Sequence, residues 1–75
     1  MTTKIEWTNP ELLANADTWS AYQTIMVILA ERGETPSADA IKAQARAARS
    51  WALSQPDHVC DRWAPAYARV IGALS

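Results

Sequence analysis

The segment Asp57-His58-Val59-Cys60-Asp61 gathers side chains that could ligate a metal or act as a nucleophile. A tetrahedral zinc site wants about four ligands, and a thiol nucleophile wants a base within hydrogen-bond reach. Helical spacing works against both. At about 100° per residue, Asp57, Cys60 and Asp61 can share a side, whereas His58 points roughly 200° away from Cys60. The chain has 1 cysteine and 1 histidine, so no second thiol or imidazole can complete a set. We therefore read Cys60 as a small apolar residue facing inward on the Trp63 side, with the aspartates placed favourably in the first turns of a helix. No metal, cofactor or catalytic residue is expected. The 2 glycines, Gly33 and Gly72, make no phosphate-binding loop, and Gly-x-Ser-x-Gly, His-Glu-x-x-His and Cys-x-x-Cys are absent. Paired carboxylates would need a concave site that a bundle of this size has little room to build. The chain reads as a non-enzyme.

Binding chemistry has better candidates. Lys42, Arg46, Arg49 and Leu53 follow one another at steps of four, three and four, which makes one stripe on a helix. It could meet phosphates or an acidic protein surface, or it could be a solvated face with Asp39 pairing to Lys42. Leu53 extends a basic face with an apolar side chain, as interfaces do. Val27 and Ile28 form a second apolar patch away from the main face of their helix. Trp19, Trp63 and Tyr67 fall in core stripes. Trp51 sits at a core edge and Trp7 precedes the first helix, so these two are the aromatic candidates for binding.

The elements that must position these residues are helical. Val59, Trp63, Tyr67, Val70, Ile71 and Leu74 make one apolar stripe, and His58, Arg62, Pro65, Arg69 and Gly72 fall on the opposite arc. Ser54-Gln55-Pro56-Asp57 resembles a capping box with Asp in place of Glu, and Pro65 predicts a kink or break on the polar arc. Before it, a helix starts at Thr35-Pro36 or Ser37, with Ile41, Ala45, Ala48 and Ala52 on one face and Trp51 at its border. The first helix begins at Asn9-Pro10-Glu11, or after a short turn with a cap at Asp17, and stops at Gly33. Trp19, Tyr22, Met26, Leu29 and Ala30 make one of its faces. Ile25 to Leu29 could form a buried strand, but helix is favoured because no convincing strand exists to pair with it. The expected fold is all-α: one domain over 1–75, a small three-helix bundle with helices near 10–32, 36–54 and 56–74. A short N-terminal helix would make four. A tryptophan-rich core and a short N-terminal arm complete it.

Composition sets the outer limits. With 75 residues the chain makes one domain, and 4 tryptophans with no phenylalanine supply much of the apolar area. A formal net charge of −1 and a pI near 5.6 argue against a strongly basic nucleic-acid binder and a strongly acidic mimic. Acidic residues dominate the first half and cations the second, an asymmetry that can orient an encounter. No signal-peptide core is visible, and the apolar run Ile25–Ala30 is far short of a membrane span. The chain is expected to be soluble and cytoplasmic.

These features predict a non-enzymatic protein-binding module with a protein partner and no membrane. The alternatives are a homodimer or other homo-oligomer closing on Val27 and Ile28, and, less favoured, a nucleic-acid-binding helical protein. In size, tryptophan content and lack of catalytic signature the chain resembles phage or mobile-element accessory proteins. That group includes anti-CRISPR proteins, and many of its members inhibit a host machine by stoichiometric binding. The resemblance implies an inhibitor and names no target.

Overall fold

A computed structural model describes residues 10–13 and 15–75. Within it the chain folds into three packed helices, α1 (Ala16–Glu31), α2 (Ala38–Leu53) and α3 (Asp57–Ala73), with no strand among the described residues. Pro10–Leu13 add a single helical turn that places Leu12 in the core at 0% exposure. The expected N-terminal arm, the cap at Asn9 and Trp7 lie outside the described residues.

Each boundary has a local cause. Asn15 is extended (φ −141°, ψ 131°), and its Oδ1 accepts from the N–H groups of Asp17 (2.9 Å) and Thr18 (3.1 Å). This satisfies two of the orphan donors at the helix start. The continuous helix over 10–32 is therefore two pieces, and the cap expected at Asp17 belongs to Asn15. At the far end Gly33 takes φ 71°, a left-handed conformation that favours glycine. Its N–H donates to the Ala30 carbonyl (3.0 Å) and that of Glu34 to the Leu29 carbonyl (2.9 Å), a Schellman closure. Ser37 caps α2 by accepting from the Ala40 N–H (3.1 Å). The capping box expected at Ser54 does not form. The Ser54 hydroxyl donates to the Trp51 carbonyl (2.7 Å) and so closes α2, while α3 starts at Pro56 with no side-chain cap. Helix α3 runs through Pro65, whose ring lies on the exposed side, where water can reach the carbonyl it leaves unpaired.

The core joins Leu12, Tyr22, Ile25 and Leu29 to Ile41, Tyr67 and Val70, with alanines filling the seams. Among the described residues no tryptophan is fully buried in it. Trp19 and Trp63 are half-buried at its margin, and Trp51 is 53% exposed. The next residue, Ala52, occupies the packed centre of α2, and one helical step turns Trp51 about 100° away from it. The core face of α1 also differs from the expected one. It is centred on Thr18, Ala21, Ile25 and Leu29, with Trp19 and Met26 flanking and Ala30 exposed.

Two arginines of α3 tie it to the start of α1. Arg62 donates through Nε (3.2 Å) and Nη2 (3.1 Å) to Asp17 Oδ1 and lies 4.8 Å from the centre of the Trp63 ring. Arg69 Nη1 donates to the hydroxyl of the buried Thr18 (3.3 Å). The Arg62–Asp17 pair is solvent-accessible, so it fixes register more than it adds stability.

Tyr67, 7% exposed, has its hydroxyl pushed above the ordinary tyrosine value by burial, because the ionised phenolate is poorly solvated there. The unfolded chain therefore ionises first as pH rises. The contribution of neutral Tyr67 to stability is complete below about pH 10 and is lost as pH climbs through the higher folded value. Thermal melts between about pH 8 and 11.5 should show wild type losing stability more steeply than Tyr67→Phe above about pH 10. Parallel curves would rule Tyr67 out as the cause.

Candidate interaction site

Helix α2 is amphipathic in a way that leaves a face to spare. Ile41, Ala45 and Ala52 are buried, and Lys42, Arg46, Arg49 and Leu53 lie roughly 100° round from them. The four are not equivalent. The Lys42 side chain is only 20% exposed, and its Nζ lies 3.9 Å from Asp39 Oδ1. Arg46 and Arg49 are exposed, and Leu53 is 51% exposed.

Side-chain polar contacts separate these two arginines from the other described arginines and Lys42. Arg32 is bonded to Gln44 (2.7 Å) and lies 3.8 Å from Glu34, Arg62 holds Asp17, and Arg69 holds Thr18. Among the described residues, Arg46 and Arg49 have neither an ion pair nor a side-chain hydrogen bond. Arg49 and Leu53 also form one bank of an open groove between α2 and α3. Cys60, Ala64 and Ala68 line it from α3, and Asp61 and Pro65 stand on its far side.

The remaining candidates are dispersed. Val27 is 57% exposed on α1 and, with the half-buried Ile28, borders a shallow depression shared with Ser20, Thr24 and Glu31. Trp51 lies on the edge of α2 away from Leu53, since the two are about 200° apart on the helix. Of the expected binding residues, Arg46, Arg49 and Leu53 thus form one surface with Lys42 at its end. Val27 and Ile28 form another, Trp51 stands apart, and Trp7 is outside the described residues. The α3 side of the groove was not anticipated. Asp61 and Ala68 share a side of α3, and pairing α2 with α3 as an antiparallel hairpin would have brought that side beside Arg49.

The Asp57–Asp61 segment brings no catalytic set together. Cys60 packs against the core while His58 is exposed. Among the described residues no cluster of three or more His, Cys, Asp or Glu side chains is placed to hold a metal ion. No helix among them is long and apolar enough to cross a membrane. No family model, curated protein or solved structure matches this chain.

Proposed function

We propose that this chain is a non-enzymatic protein-binding module that acts by stoichiometric occlusion of a larger machine, as a small phage or mobile-element accessory protein would. One observation carries the reading. Arg46 and Arg49, the described cations with no partner of their own, precede a half-exposed leucine on one stripe of α2, and Arg49 and that leucine line an apolar groove. An apolar centre beside unsatisfied arginines is the composition of an interface core with its anchoring charges. The partner surface it suits is acidic around an apolar projection. Two free arginines are too few for the phosphate footprint of a nucleic-acid binder, which favours protein over DNA or RNA.

Capture from nuclease-treated lysate tests the reading by comparing wild type with an Arg46→Ala/Arg49→Ala/Leu53→Ala variant. All three positions are exposed, so the variant should keep its helical content. The expected result is a protein captured at a fixed ratio by wild type and lost, or weakened at least about a hundredfold, with the variant. Equal capture by both proteins overturns this face as the binding site.

A further inference from the structure

We infer that the groove between α2 and α3 is also the contact face of a twofold dimer of this chain. The inference goes beyond the partner reading and does not depend on it. Helices α2 and α3 are joined by the short turn at 54–56 and pack along their length, so they form an antiparallel hairpin. Arg49 and Asp61 are equally distant in sequence from Gln55 at the centre of that turn, which places them at the same height on opposite banks. Both are exposed, and among the described residues neither has an ion-pair partner.

A groove with a cation on one bank and an anion level with it on the other is complementary to itself. A twofold axis running along the groove carries each bank across to face its opposite. Arg49 of each copy then meets Asp61 of the other, and the contact forms twice. A closed dimer requires such self-complementarity. Between the banks, Cys60, Ala64 and Ala68 project little, so the second copy can approach closely. A surface this narrow falls below the about 800 Å² per partner of a standard interface, so the dimer should form only at micromolar concentrations or above.

Sedimentation equilibrium from about 5 to 500 µM at low salt reads this directly. Wild type should rise from the 8.3 kDa monomer mass towards twice that value. Because twofold symmetry counts each substitution twice, Arg49→Asp and Asp61→Arg should each weaken the dimer by about tenfold or more. The Arg49→Asp/Asp61→Arg double variant exchanges the banks and should restore it. A mass fixed at the monomer, a dimer indifferent to the single reversals, or a double variant no better than either single overturns the inference. The partner reading fails separately, since monomeric protein that still captures its partner removes only the dimer.

Discussion

Ile41→Ala should leave the protein largely unfolded or close to it. Ile41 is at 0% exposure, and the other buried residues of α2 are Ala45 and Ala52. It is therefore the one large side chain by which α2 engages the core among the described residues. Removing buried methylenes costs their transfer free energy plus the cavity left behind, about 2–5 kcal/mol for Ile→Ala. A single core of this size supplies only about 3–5 kcal/mol in total. The two ranges overlap, so the variant sits at the edge of folding. Far-UV circular dichroism with urea titration should show a shortened or missing native baseline. Ile41→Val removes one methyl group and should cost about 0.5–1.5 kcal/mol, with a cooperative transition retained. If Ile41→Ala unfolds at nearly the wild-type urea midpoint, α2 is held by something other than its core face.

The helices were legible in the sequence to the degree that their faces differed. On α3 the stripe from Trp63 through Val70 stands opposite Arg62, Pro65 and Arg69, so one face could be buried and the structure buries it. On α2 the contrast between Ile41 and Arg46 did the same. Helix α1 offered no such contrast. Ile25, Met26, Val27 and Ile28 are consecutive and together cover every direction around the axis, so periodicity could not select among them. Packing into the core buried Ile25 and left Val27 in solvent. The same ambiguity governed the cap. Asn15 and Asp17 are both good capping residues, and Asp17 is drawn off by Arg62, which follows it by 45 positions in the chain. Trp51 falls at the border of the α2 core face, where rotation by one residue from the buried Ala52 decides exposure. Half of the candidate site was visible because Arg46, Arg49 and Leu53 lie on one helix. The other half was not, because Asp61, Ala64 and Ala68 join it only after two helices pair, and no spacing within one segment encodes that.

Ala45→Leu should destabilise the fold for the opposite reason to Ile41→Ala. Ala45 is at 0% exposure on α2, and Ala64 is buried on the side of α3 that faces α2, across the most extensive helix–helix seam among the described residues. Small residues at such a seam let two helices approach towards the near end of the usual 8–10 Å interaxial range. An isobutyl group at this fully buried position has no route to solvent. It must push α2 from α3 or adopt a strained rotamer, which typically costs about 1–3 kcal/mol. In a domain of this length each kcal/mol moves the melting temperature by about 4–8 °C, so a fall of about 5–20 °C is expected. Helix propensity cannot account for such a fall, because leucine is nearly as good a helix former as alanine. Ala47→Leu supplies the comparison. Ala47 is exposed on the same helix, and leucine there should shift stability by no more than about 0.5 kcal/mol. A large loss at Ala45 with little change at Ala47 would show that close helix approach limits this fold. Equal melting temperatures would place spare volume at the seam, and Ala45→Leu would then be expected to rescue Ile41→Ala in part by refilling the cavity beside it.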